Sequence, residues 1–444
     1  MSAAPSRPAV PADRTARARV LLNDNTLTAA AMVQLVAGVI TSKLAATLLG
    51  AAGVGTYALV QAVANIVALC ALGTGEALVR ESGRRRSAPT PPDFGAMLRG
   101  AELAGLASLS VVAVSALVLN RPLARLLFGA GNGGRQVFLL AVAAGITFGW
   151  VTLQVNSMVA QRRVRRVSLA LALGAASTPL VALIGFRAWG VAGIGRVHLI
   201  AMLASLLTTG AVVWGRTAKV TPSSSLRAAV DEIPALLRYG VPHVLGTLFT
   251  ASMLLIVPMV VAARQGVDGA GFYRAAATIA AGMATLFTFE LNGDFSARVA
   301  EVATDRQAFI TVIGAQLRRL LLRGVAVVAA LSLAAPVIVP VLYDKGFEPT
   351  TQLLPLILVG QLLGLVAMTL NIGIGARHGG GAMLLNAALG GCATVTAVAM
   401  VDSLPSVGFM FVAGQTVFLV ACGVSVVLRD RGRPAHVGMA TADS

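Results

Sequence analysis

The chain has 444 residues, 57% of them hydrophobic and only 12% charged, with a mean hydropathy of +0.81 and a net charge of +17. Soluble domains carry about twice that charge fraction, so a water-covered globule is excluded and an integral membrane protein is implied. The basic excess therefore reads as arginine in cytoplasmic loops, not as a nucleic-acid footprint.

The opening "MSAAPSRPAVPADRTARARV" is rich in Pro, Ala and Arg and predicts a disordered cytoplasmic tail over 1–25. Twelve stretches then reach the ~20 mostly apolar residues that a helix needs to cross a bilayer. They run roughly over 26–49, 54–73, 97–119, 136–160, 168–187, 190–214, 239–263, 272–296, 317–341, 353–375, 380–400 and 405–428. With the N-terminus in the cytoplasm, 26 of the 35 Lys and Arg fall on the cytoplasmic side and eight on the outer side, with Lys43 left inside the first stretch. That asymmetry predicts a multi-pass protein with both termini cytoplasmic. The runs "GRRR" (83–86) and "QRRVRR" (161–166) are topogenic, with a secondary role in holding anionic lipid headgroups.

One phrase is written twice. "LLGAAGVGTYAL" (Leu48–Leu59) aligns with "RQGVDGAGFYRA" (Arg264–Ala275), placing Gly50, Gly53, Gly55 and Tyr57 over Gly266, Gly269, Gly271 and Tyr273. Each copy falls between the first and second stretches of a six-stretch half, so the halves enter the membrane in the same direction as parallel repeats. The glycines predict a loop of about four residues turning two antiparallel helices. The tyrosines are expected at headgroup depth. The predicted organisation is an N-terminal six-helix lobe (26–214), a cytoplasmic linker (215–238), a C-terminal six-helix lobe (239–428) and a short cytoplasmic tail (429–444).

Several segments carry a resemblance. "LLGAAGVGTYALVQAVANIVALCALGTGEALVR" (Leu48–Arg80) resembles the first hairpin of polysaccharide flippases of the multidrug/oligosaccharidyl-lipid/polysaccharide exporter superfamily. "LLRYGVPHVLGTLF" (Leu236–Phe249), "GAGFYRAAATIA" (Gly269–Ala280) and "PVIVPVLYDKGFEPTTQLLPLIL" (Pro336–Leu358) are similar to later segments of that family, in the same order. Two features depart from it: no Pro ends the eighth stretch, and "MLLIVPMVVAARQG" has no acidic residue in the seventh. The resemblance implies an all-α polytopic membrane protein of twelve helices in two lobes, with an exporter fold like that of MATE transporters. It implies a monomeric flippase in a bacterial cytoplasmic membrane. The flippase would move a polyprenyl-pyrophosphate-linked glycan by alternating access, next to the glycan polymerase or glycosyltransferases of its pathway. A cation-coupled multidrug antiporter and a peptidoglycan-precursor flippase stay open as alternatives.

Ionisable residues inside membrane helices are functional candidates because their burial is costly. Lys43 and Arg196 are read either as cavity contacts to a phosphate or sugar, or as side chains reaching to the outer interface. Glu290 and Asp294, one helical turn apart, and Glu102 are candidates for H⁺ or Na⁺ coupling, against a reading as structural pairs with nearby arginines. Gln34, Gln61, Asn65, Gln154, Asn156, Gln361 and Asn371 are candidates for sugar hydroxyls, or for hydrogen bonds between helices. No Walker, zincin or serine-hydrolase motif is present, and no outer loop is long enough for a ligase or polymerase, so no enzyme, cofactor or metal site is expected. Cys70, Cys392 and Cys422 stand in apolar stretches with no C-x-x-C and read as packing residues.

Overall fold

The computed structural model describes residues 14–86, 93–129, 132–161, 163–214, 225–250, 256–291, 305–378 and 380–431, with a few single residues between 295 and 303. In chain order the described α-helices are α1 (Arg14–Arg86), α2 (Phe94–Val118), α3 (Asn120–Phe128), α4 (Asn132–Ala160), α5 (Val164–Trp189), α6 (Ile194–Trp214), α7 (Leu226–Thr250), α8 (Val257–Glu290), α9 (Arg306–Tyr343), α10 (Glu348–His378), α11 (Gly380–Ala399) and α12 (Leu404–Arg431). Among the described residues, nine helices are long and apolar enough to cross a membrane. The protein is an all-helical, multi-pass membrane protein, and these helices accommodate the twelve expected crossings.

Two of these helices are broken within. α1 breaks at Gly50, with φ 68° and ψ −169°, and α8 breaks at Gly266, with φ 78° and ψ 176°. Only glycine adopts such a conformation without strain. Gln34 and Gln61 lie on opposite sides of the first break, and an unbroken helix would hold them about 40 Å apart at 1.5 Å per residue. Both instead line one cavity, so the chain folds back on itself at Gly50. The predicted four-residue loop is thus a single-residue break, and Gly53 and Gly55 already lie in the second arm of α1.

Other boundaries differ from expectation in the same direction. α1 is helical from Arg14, so only 1–13 of the predicted 1–25 tail precede it, and those lie outside the described residues. α7 begins at Leu226, inside the predicted linker, and continues past Pro234 and Pro242. The short α3 adds an element that no apolar stretch signalled; its Arg121 and Arg125 are exposed, and Ala124 is buried.

The core is made of small residues. Ala62, Ala64, Ala68 and Ala71 in the second arm of α1 are fully buried. A methyl added at Gly145 of α4 would stand 2.5 Å from the Ala64 carbonyl oxygen, so the two backbones touch. Helices in lipid gain little from burying more hydrocarbon; they gain from close backbone approach, which Gly and Ala permit.

The two halves meet along these small residues as well. The two copies of the repeated phrase pack on one another. A methyl at Gly55 would collide with the Val267 carbonyl, and one at Gly271 with the Ala51 carbonyl. Further along the same arm of α1, a methyl at Gly73 would lie 2.7 Å from the Gly240 carbonyl of α7. The second arm of α1 therefore touches the C-terminal half at Gly55 and again, about five turns on, at Gly73.

The candidate headgroup cavity

Beside the Gly55–Gly271 crossing lies a cavity of about 310 Å³. Its wall comes from both arms of α1 (Gln34, Thr41, Ser42, Tyr57, Gln61), from α5 (Thr178), from α6 (His198) and from the second arm of α8 (Arg274, Thr278). Four of the five wall segments belong to the N-terminal half; Arg274 and Thr278 reach in from the C-terminal half.

Arg274 organises the polar surface. Its Nη2 donates to Gln61 Oε1 at 2.6 Å, and Gln61 Nε2 donates onward to the Tyr57 hydroxyl at 3.2 Å. The Tyr57 ring is held edge-on between Phe186 at 5.9 Å and His198 at 5.8 Å. On the rim, the Ser42 hydroxyl donates to the Tyr343 hydroxyl at 3.1 Å, tying the first arm of α1 to the end of α9. Among the described residues no carboxylate lines the cavity, and none of them gives the cation of Arg274 a counter-ion there.

The tyrosines of the repeat correct one expectation. Tyr57 is 6% exposed and Tyr273 is fully buried, so neither presents its ring to lipid. They follow directly on the Gly55 and Gly271 crossing, where two helices approach too closely for their rings to point anywhere but inward.

The sequence candidates are distributed unevenly. Gln34 and Gln61 line the cavity, and Asn65 lies one turn beyond Gln61, half-buried. Lys43 is exposed and does not line it; its Nζ donates to the Val341 carbonyl at 2.9 Å, capping the last turn of α9. Arg196 is exposed, two residues from the buried His198. Gln154 is half-buried and Asn156 buried on α4, and Asn156 packs against Gly75. Gln361 is half-buried on α10. Glu102 is half-buried on α2, away from the cavity. The side chains of Glu290 and Asp294 lie outside the described residues.

Asn371 belongs to a separate polar cluster in the C-terminal half. Its Nδ2 donates to the Met383 carbonyl at 3.2 Å, and its Oδ1 accepts from Asn386 Nδ2 at 3.3 Å. Ser425 donates to Asn386 Oδ1 at 2.7 Å. This neutral network clamps α10, α11 and α12 together.

Arg274 itself was missed by sequence reasoning, because it counts among the eight basic residues on the outer side. The signal was its position: in "GFYRAAATIA" it is the first charge inside an apolar helix, directly after the repeat tyrosine.

No protein-family model matches the chain, and no curated protein sequence matches it. Solved structures do. The chain is similar to an inward-facing multidrug resistance MATE family transporter of the MOP superfamily (TM-score 0.69, 16% identity, 90% of this chain and 94% of that one). It is similar to the lipid II flippase MurJ in an inward closed conformation (TM-score 0.71, 11% identity, 90% of this chain and 87% of that one). A MOP superfamily transporter from Pyrococcus furiosus, described as having a binding pocket of reverse polarity, also matches (TM-score 0.64, 16% identity, 92% and 94% covered). These three are transporters or a flippase, none an enzyme. The chain has the fold that they share.

Proposed function

We propose that the protein is a flippase that moves the anionic headgroup of a polyprenyl-linked oligosaccharide or polysaccharide precursor across the membrane by alternating access. The observation that carries this reading is Arg274: a cation aimed into a cavity between the halves with no carboxylate on the wall among the described residues. A charge inside a membrane protein is costly unless it is paired or has a partner to receive. A phosphate is the natural partner, because a guanidinium donates to two oxygens at once. Gln61, Gln34, Thr41 and Thr178 supply neutral donors and acceptors suited to sugar hydroxyls. The MurJ fold, found in a protein named for lipid II, supports a lipid-linked substrate. The glycan and a place beside the polymerase or glycosyltransferases of its pathway rest on the resemblance of the motifs.

In this reading the repeat crossing at Gly55 and Gly271 faces the outside of a bacterial cytoplasmic membrane, and both termini are cytoplasmic. The lobes are 26–214 and 239–428, joined through 215–238, and they rock about the α1–α8 contact. At about 310 Å³ the cavity is at the lower end of small-molecule sites, so a larger headgroup enters only when the lobes part.

The second reading, a cation-coupled drug antiporter, draws on the MATE likeness. A cationic drug would meet Arg274 with no acidic group beside it among the described residues of the cavity wall, which favours the anionic substrate. The test is binding of a polyprenyl diphosphate to the purified protein in detergent. Arg274→Gln should weaken it by about 10- to 100-fold, the worth of one charged hydrogen bond at 1.5–3 kcal/mol. Unchanged affinity in that variant would remove the phosphate from the cavity.

A further inference from the structure

His198 is the cavity residue that the headgroup reading leaves unused. It lies on α6, is 5% exposed, and turns its ring toward Tyr57 at an interplanar angle of 83°. Its Nδ1 is buried and has no hydrogen-bond partner among the described residues. Buried polar atoms are nearly always satisfied, and an orphan costs about 1–3 kcal/mol. An orphaned imidazole nitrogen on the wall of a cavity is therefore a group waiting for a ligand.

The ionisable groups that share the cavity with it are Tyr57 of α1 and Arg274 of α8. The other helices packed on α6 bring Arg135 of α4 and Arg187 of α5, both exposed, and Arg196 on α6 itself is exposed too. Among the described residues no carboxylate lines the cavity. In the empty cavity a second positive charge would have only Arg274 to face, and like charges repel strongly where water is scarce. An anion seated on Arg274 reverses that balance. It supplies the missing counter-charge and an acceptor for an imidazolium, which donates from both ring nitrogens.

We propose that His198 takes up one proton from solvent when a phosphate headgroup enters the cavity and returns it when the headgroup leaves, so that headgroup and proton cross together. This rests on the headgroup reading of Arg274. No covalent bond of the headgroup is made or broken. The proton passes from water to a ring nitrogen, Arg274 balances one negative charge of the phosphate and the imidazolium a second. The loaded cavity then turns over carrying less net charge, which lowers the cost of moving an anion through a low-dielectric interior.

The test is calorimetric titration of the purified full-length protein with farnesyl diphosphate in detergent. It is run at several pH values, and at each pH in two buffers of different ionisation enthalpy. Wild type should take up about one proton more per ligand than His198→Gln, so that its affinity falls more steeply with pH, by about a further tenfold per unit. His198→Asn, which keeps a hydrogen-bonding side chain but cannot carry the proton, should match His198→Gln. Equal proton uptake in wild type and both variants, with binding intact, would overturn the role of His198 and leave the headgroup reading standing. If neither variant folds, wild-type uptake no greater than the titration of the free ligand itself would overturn it as well. Failure of wild type to bind the diphosphate at all would sink both.

Discussion

Arg274 Nη2 sits 2.6 Å from Gln61 Oε1, across a sequence separation of 213 residues, joining the second arm of α8 to the second arm of α1. Each of these arms begins with one copy of the repeated glycine–tyrosine phrase. The repeat thus places its two second arms face to face, and the residues just beyond each tyrosine meet in the cavity. Gln61 holds the guanidinium by one hydrogen bond and leaves the rest of its donors for a ligand. Gln61→Leu should lower affinity for a polyprenyl diphosphate by about 3- to 10-fold, the worth of roughly 1 kcal/mol of lost positioning. Arg274→Lys should do worse than Gln61→Leu, because a point charge cannot reproduce the planar fork. Both are read from the same binding titration.

The crossings at Gly55 and Gly271, and at Gly73 and Gly240, leave no room for a side chain. Gly271→Val should force the second arm of α8 away from α1, beside the cavity, at a cost of about 1–3 kcal/mol of overpacking. The expected result is faster labelling of a cysteine introduced at Thr41 by a membrane-impermeant thiol reagent, in a background lacking the native cysteines. Equal labelling rates would mean that this crossing does not hold the cavity shut.

Lys43 caps α9 through the Val341 carbonyl and does not line the cavity. Lys43→Met should cost about 0.5–1.5 kcal/mol of stability and leave ligand affinity unchanged. A thermal melt in detergent paired with the diphosphate titration separates the two effects.

The Asn371–Asn386–Ser425 cluster predicts the same separation on a larger scale. Asn386→Leu leaves Asn371 Oδ1 and the Ser425 hydroxyl without their partner in a buried site. The expected loss is about 1–3 kcal/mol, seen as a lower melting temperature, with binding at the cavity preserved.

Much of the fold was legible because it is written in long patterns. Apolar runs mark the crossings whatever surrounds them, and a doubled phrase marks a doubled topology. The breaks fell at Gly50 and Gly266, where the phrase placed the turns, because positive φ is a local demand that sequence expresses directly. Orientation of side chains around a helix was not legible. Tyr57 and Tyr273 were expected at the lipid interface, yet they are buried, since their direction depends on which helix crosses at Gly55 and Gly271. Arg274 was hidden for a related reason. A count of charges by loop assigns a residue to a side of the membrane but not to a face of a helix. Gln34 and Gln61 line the cavity, as a buried amide that must face protein or cavity can; the same rule could not separate them from Asn371, whose partners lie on a neighbouring helix.

The decisive measurement is on cells lacking the gene: extraction of their lipid-linked glycans, with the membrane face of each determined. The flippase reading predicts that one polyprenyl-linked oligosaccharide accumulates on the cytoplasmic face while its surface polymer is lost. The wild-type gene should reverse this, and the Arg274→Gln variant, expressed at the same level, should not. An unchanged lipid-linked pool together with new sensitivity to cationic drugs would contradict it and leave the antiporter in its place.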